Sequence, residues 1–296
     1  MKPLVFHFPD DDGLAQRLVG HLDVERGALE WHRFPDRESL VTLRGDCAGR
    51  DVVVICTLSD PDTKSLPLYF AACTARELGA RRVGLVAPYL AYMRQDQRFL
   101  PGQSRSADAY AKFLSASFDW LVTVDPHLHR LGSLGEIFSI PAAAVSAMPA
   151  VSDWIRNHVQ NPVLVGPDRE SAQWAETVAR SLGAPCIVLD KVRSGDRDVR
   201  VTAPDPTVVR RGNPVVIDDI ASSGRTLAQV AKGLVALGVE NLTCVIVHAL
   251  FVDKADEAVL AAGARRIVST NTVSHASNGI DVAPLMSSAI RQFLPQ

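Results

Sequence analysis

The sequence predicts an α/β protein built from mainly parallel sheets flanked by helices and arranged as two similar units. Three observations lead there. Short apolar runs alternate along the chain with longer segments whose apolar residues recur every three or four positions. The runs are apolar almost throughout, not at every second position, which marks strands covered on both faces and paired in parallel through helical crossovers. A strand–turn–helix–turn–strand pattern also recurs. Its turns are Ser59-Asp60-Pro61-Asp62 and Leu78-Gly79-Ala80 in the first half, and Gly166-Pro167-Asp168-Arg169 and Leu182-Gly183-Ala184 in the second.

The strands follow from the apolar runs at Asp51–Cys56, Arg82–Ala87, Leu121–Val124, Val163–Val165, Cys186–Leu189, Val215–Ile217 and Leu242–Val247. The helices follow from the spacing at Ser65–Leu78, Ser106–Ser117, Ala172–Leu182, Thr226–Leu237 and Lys254–Ala262. Four of these end near a glycine (Gly79, Gly183, Gly238, Gly263), a common helix stop. The small-residue stretch Pro141–Ala147 is the natural boundary. It gives a first domain over 1–143, completed by 283–296, and a second over 144–282. One larger sheet is the competing reading.

Composition excludes several classes. Thirty-one Lys and Arg against 33 Asp and Glu leave a net charge of −2, so the chain has no positive field for a nucleic-acid partner. The five cysteines are odd in number and form no CxxC pair, which argues against a disulfide framework or a structural zinc. No run approaches the length of a membrane span. The segment Met1–His7 reads as a strand, not a signal peptide, so a reducing cytoplasm is the expected location.

Ligands of parallel sheets bind beyond the carboxyl ends of the strands. The segment from Val215 to Leu227 stands out there. An apolar strand runs into Asp218 and Asp219, then into Ala221-Ser222-Ser223-Gly224-Arg225-Thr226 and a helix. Successive N–H groups before a helix N-terminus cradle an anion. Ser222, Ser223 and Thr226 add hydroxyl donors, and Gly224 lets the backbone approach a phosphate. The two carboxylates suit sugar hydroxyls or a Mg²⁺ shell. A plain acidic helix cap is the simpler alternative.

This segment resembles the phosphoribosyl-diphosphate loop of the type I phosphoribosyltransferase fold. Other motifs narrow the resemblance to the ribose-phosphate diphosphokinases (PRPP synthetases). Phe34-Pro35-Asp36-Arg37-Glu38 is similar to their FPDGE loop, and Pro88–Asp96 with Arg98–Gly102 to their PYxxYxRQD segment and its extension. Val124-Asp125-Pro126-His127 resembles their VDxH turn, and Val165-Gly166-Pro167-Asp168 their SPD loop. Lys191-Val192-Arg193 resembles their catalytic KxR, and Asn271-Thr272 with Ile280–Leu285 their C-terminal stretch. The matches are collinear, and the short segment after Lys191 is closer to the archaeal-style branch.

The resemblance implies two tandem phosphoribosyltransferase-like domains, an ATP side and a ribose 5-phosphate side. It implies transfer of the β,γ-diphosphoryl group of ATP to O1 of ribose 5-phosphate, giving 5-phosphoribosyl 1-diphosphate and AMP. Such transfers depend on positioning and charge neutralisation. Lys191 and Arg193 are then catalytic, although a bare KxR would be a solvated hairpin tip. Phe34, Asp36, Glu38, Arg94, Gln95 and Asp96 bind ATP. Asp218, Asp219, Ser222, Ser223, Gly224, Arg225 and Thr226 bind ribose 5-phosphate. His127 and Asp168, one from each domain, contact Mg²⁺, with His129 one step past the motif position. The family's shared adenine-side loop implies a homo-oligomer, a dimer or higher. Three departures stand out: Arg37 replaces the FPDGE glycine, Arg169-Glu170-Ser171 replaces the glycines after SPD, and the phosphate loop reads SSGRT. They leave open a catalytically weak regulatory paralogue and, more distantly, a phosphoribosyltransferase.

Overall fold

The computed structural model describes residues 1–194, 198–202 and 206–294, and of those between 190 and 206 the backbone alone. The chain divides into two compact units, Met1–Ser146 with Ala283–Gln296, and Ala147–Val282. Both are α/β units on a parallel sheet.

The first unit runs β1 (Leu4–His7), α1 (Asp12–His21), β2 (Glu25–Arg26), β3 (Ala28–Arg33), β4 (Ser39–Arg44), β5 (Asp51–Ile55), α2 (Pro61–Glu77), β6 (Arg82–Ala87), α3 (Ser106–Ser117), β7 (Trp120–Val124) and β8 (Ala142–Val145). Its sheet order is β2-β1-β5-β6-β7-β8, parallel throughout, with β3 and β4 as a separate antiparallel hairpin. The second unit runs α4 (Met148–His158), β9 (Pro162–Gly166), α5 (Ala172–Leu182), β10 (Cys186–Val188), β11 (Asp190–Ser194), β12 (Asp198–Thr202), α6 (Pro206–Arg210), β13 (Asn213–Ala221), α7 (Arg225–Ala236), β14 (Thr243–Ala249), α8 (Ala255–Ala261), β15 (Arg266–Thr270) and β16 (Asn278–Ile280). Its sheet order is β10-β9-β13-β14-β15-β16, again parallel, with β11 and β12 as a separate antiparallel ribbon. The chain then returns to the first unit as α9 (Ala283–Ile290).

The buried strands explain the apolar runs. Every residue of β5 and β7 is buried, as expected for strands with helices on both faces. In the second unit Val165, Val216, Cys244 and Ile246 of the sheet pack against Leu227, Val230 and Leu234 of α7 and Val259 of α8. The return of α9 to the first unit also has a packing cause. Gly84 of β6 leaves room for the Trp120 ring, since a Cβ there would lie 1.9 Å from it. Trp120 in turn stacks on Phe293 at 5.0 Å, and Arg82 donates to the Phe293 carbonyl at 2.8 Å.

The two sheet orders give the same crevice twice. From β1 the chain passes to β2 on one side, then to β5 on the other, so the order reverses between β1 and β5. In the second unit it reverses between β9 and β13. These switch points are where ligands of doubly wound sheets bind. The equivalence corrects one sequence argument. The Leu-Gly-Ala repeat pairs β5–α2–β6 with β9–α5–β10, yet by sheet position β5 corresponds to β13 and β9 to β1. The duplication holds at a different alignment.

Other differences are local. The two units divide between Ser146 and Ala147, inside the Pro141–Ala147 stretch, which also holds strand β8, paired with β7. Helix α2 starts at Pro61, not Ser65, because proline suits the first helical position. The segment carrying Lys191 and Arg193, expected as a loop, is strand β11, with Lys191 opposite Val201 and Arg193 opposite Val199. Their side chains lie outside the described residues, as do residues 195–197 of the polar stretch that follows.

Candidate active site

The densest polar constellation lies at the switch point of the second unit. The register sets Val216 of β13 opposite Val165 of β9, so Asp218 comes level with the turn that carries Asp168. Asp218 and Asp219 do not end the strand, as the sequence had implied. The ladder to β14 runs on through Asp218↔Ile246, Ile220↔His248 and Ala221↔Ala249. The carboxylates are therefore fixed on sheet backbone, which is more rigid than a loop. Asp219 is 4% exposed and its Oδ1 accepts from the Ile220 N–H at 2.8 Å. Burial, followed by the neighbouring Asp219 and Asp168 carboxylates, pushes the Asp218 carboxyl well above the usual carboxylate range.

Ser222, Ser223 and Gly224 then turn the chain into α7, which starts at Arg225, one residue before the expected Thr226. The first N–H groups of a helix have no intrahelical acceptor and face the turn. The turn is clamped from behind. The Ala221 carbonyl accepts from Leu250 and Phe251, and the Ser222 carbonyl from Val252. Gly224 sits at φ +65°, where a Cβ would lie 2.9 Å from the Ala255 carbonyl oxygen of α8. Close helix packing thus requires glycine here, whether or not a phosphate approaches. Arg225 and Ser223 are exposed, and Ser222 and Thr226 are half-buried.

Asp168 follows β9 on a Gly-Pro-Asp turn, as expected. Its Oδ1 accepts from the Ser171 N–H at 3.1 Å and lies 3.0 Å from Ser171 Oγ. The same Oγ lies 3.0 Å from Asp218 Oδ1. Sequence reasoning missed Ser171. A serine just before a helix reads as an ordinary cap, but this side chain makes no cap hydrogen bond and turns to the carboxylates.

In the first unit Phe34, Asp36 and Glu38 form the exposed turn of the β3–β4 hairpin. The Phe34 and Glu38 backbones pair at 2.8 Å, and Asp36 Oδ1 accepts from the Glu38 N–H. The Phe34 ring is 41% exposed and meets His32 edge-on at 4.6 Å, which leaves a face open. Arg37 keeps φ +76°, the left-handed conformation that favours glycine. Arg94 and Gln95 are exposed. Asp96 differs from them: it is 6% exposed, its carboxylate pairs with Arg130 at 2.9 Å, and its carbonyl accepts from Arg105. These contacts tie it to the loop that carries Arg105 and to Arg130. His127 follows β7 at φ +54°, with its Nδ1 3.1 Å from Nε2 of His129. The two rings meet edge-on at 3.9 Å, so His129 belongs to the same group.

Comparison with known proteins places this geometry. Residues 4–117 match the family described as the N-terminal domain of ribose phosphate pyrophosphokinase, and residues 133–285 the phosphoribosyl transferase domain. The chain is 34% identical over 280 residues to a ribose-phosphate pyrophosphokinase of Methanopyrus kandleri, covering 94% of each. The chain belongs to the ribose-phosphate pyrophosphokinase family. A second family member, from Methanothermobacter thermautotrophicus, is 32% identical over 279 residues, 94% of this chain and 96% of the relative. The crystal structure of phosphoribosylpyrophosphate synthetase from Mycobacterium smegmatis has the same two-domain fold, with a TM-score of 0.86, 24% identity and 99% coverage of both chains. Among the described residues, no helix is long and apolar enough to cross a membrane.

Proposed function

We propose that this pyrophosphokinase-family chain transfers the β,γ-diphosphoryl group of ATP to O1 of ribose 5-phosphate. The O1 hydroxyl attacks the β-phosphorus, loses its proton, and AMP leaves. The observation that carries the reading is family membership over nearly the whole chain. The switch-point geometry of the second unit supports it.

In this reading the second unit binds ribose 5-phosphate. The turn Ser222–Thr226 and the first N–H groups of α7 hold the 5-phosphate, with Arg225 adding charge. Asp218 and Asp219 accept hydrogen bonds from the ribose hydroxyls. A triphosphate in that cradle would meet the two carboxylates, a repulsion of about 4 kcal/mol at 4 Å and an effective dielectric near 20. ATP belongs to the first unit, with Phe34 against adenine, Asp36 and Glu38 accepting from its amine, and Arg94 and Gln95 donating to ribose or phosphates. Lys191 and Arg193 neutralise the charge that develops on the transferred group.

Mg²⁺ bound to the ATP phosphates would supply charge neutralisation. The resemblance assigns His127 and Asp168 to it. The donor set fits: carboxylate oxygens suit a hard cation, and Asp168 and Asp218 lie on either side of the Ser171 hydroxyl, 3.0 Å from it. The family's shared adenine-side loop points to a homo-oligomer. The five cysteines are free, in keeping with a reducing cytoplasm.

Purified protein with ATP, Mg²⁺ and ribose 5-phosphate should release AMP only when the sugar is present. Release of ADP, or no turnover, would refute the assignment. Consumption of 5-phosphoribosyl 1-diphosphate by a nucleobase without ATP would favour a phosphoribosyltransferase instead.

A further inference from the structure

Ser171 stands where the family pattern carries glycine, and its hydroxyl is not spent on the helix it precedes. It is 2% exposed, and its Oγ lies 3.0 Å from one oxygen of each of two carboxylates, Asp168 on the β9–α5 turn and Asp218 on β13. Its own N–H donates to the same Asp168 oxygen at 3.1 Å, and the Asp219 N–H to the same Asp218 oxygen at 3.1 Å. One buried residue thus clamps a turn carboxylate by two donors and reaches a strand carboxylate 47 positions away. Ser171 has a single hydroxyl proton, which it can donate to only one carboxylate at a time, so Oγ spans the gap between the two acids while the Ser171 N–H keeps hold of Asp168.

We propose that Ser171 is a positioning residue that fixes the spacing between the metal-side carboxylate Asp168 and the sugar-side carboxylate Asp218. It touches neither substrate and acts through both acids. This inference rests on the reaction proposed above. A glycine at this position leaves the spacing to the backbone alone, whereas here a side chain sets it.

The test is Ser171→Ala beside Ser171→Thr, which keeps the hydroxyl. Calorimetric titration of ribose 5-phosphate in EDTA reads sugar binding without metal or turnover. Ser171→Ala should weaken that binding about tenfold, the usual effect of losing a hydrogen bond to a charged group. In turnover it should raise KM for ribose 5-phosphate and the Mg²⁺ concentration for half-maximal rate, with KM for ATP unchanged. Ser171→Thr should restore both, and the thermal midpoint of Ser171→Ala should stay within a few degrees of wild type. Unchanged sugar affinity, equal loss toward ATP, or a Ser171→Ala protein that does not fold would each overturn the proposal. Failure of the wild-type protein to release AMP would strike the reaction assignment, and the EDTA titration would still test the clamp.

Discussion

Replacing Gly224 by alanine separates two reasons for a glycine in the phosphate loop. If only close approach of a phosphate demands it, the variant folds as well as wild type and loses ligand affinity alone. The structure says otherwise. At φ +65° an L-residue costs about 1–2 kcal/mol. The added Cβ would also stand 2.9 Å from the Ala255 carbonyl oxygen, 3.1 Å from Ala255 Cβ and 3.2 Å from Val259 Cγ2. The first of these is backbone, so α8 must shift, and overpacking of this kind costs about 1–3 kcal/mol. Gly224→Ala should therefore destabilise the protein by about 2–5 kcal/mol. Equilibrium urea unfolding at unchanged slope would show this as a lower midpoint. A loss under about 1 kcal/mol, with ribose 5-phosphate affinity reduced, would refute the packing argument and restore the phosphate as the reason for glycine.

Two further substitutions test local conformation and buried charge. Arg37→Gly should leave stability unchanged or raise it by up to about 1 kcal/mol, because the exposed Arg37 already sits in a left-handed conformation that glycine adopts freely; a urea midpoint that falls clearly would show that the Arg37 side chain makes a stabilising contact. Lys64→Met should cost about 3 kcal/mol, since the 3% exposed ammonium pairs with Asp10 at 2.9 Å and the Thr57 carbonyl at 2.8 Å beside the buried Asp11. Adding Asp11→Asn should recover part of that loss, and no recovery in thermal unfolding would place the cost elsewhere.

The interior of the fold was legible because burial writes itself into composition. Segments covered on both faces must be apolar throughout, and β6, α3 and α5 fall on their expected residues. What depends on backbone pairing alone was not. Strand β13 runs past its apolar residues because a ladder of N–H and C=O groups is indifferent to the carboxylates it carries. The edge strand β8, with the sequence Ala-Ala-Ala-Val, has no pattern to betray it. The Leu-Gly-Ala triplets misaligned the repeat because they are helix stops: Gly79 and Gly183 both take positive φ, and any helix can end that way. In the site, Asp168, Asp218 and Asp219 were visible as residues after strands. Ser171 was not, since its role depends on a partner 47 positions on. Asp96 was named through the motif it ends, while its burial and its pairing with Arg130 depend on a residue 34 positions on.

The duplicated crevice shows why fold alone does not assign the substrate. In the first unit the Asp11 carboxylate accepts from the Thr57 N–H at 2.9 Å across β1 and β5, much as Ser171 and Asp218 meet across β9 and β13 in the second. There the chain supplies its own cation. Lys64, buried and paired with Asp10, partly offsets the burial that raises the Asp11 pKa. In the second unit Asp168, Asp218 and Asp219 crowd one corner, and burial, followed by the two neighbouring carboxylates, raises the Asp218 pKa. Burying like charges is unfavourable unless something neutralises or hydrogen-bonds them. Both crevices bury carboxylates, and the second has a hydroxyl-lined turn and a helix N-terminus beside them. In the proposed reading it is the hydroxyl-lined turn beside these acids, on a topology the two units share, that favours the second unit for the sugar phosphate.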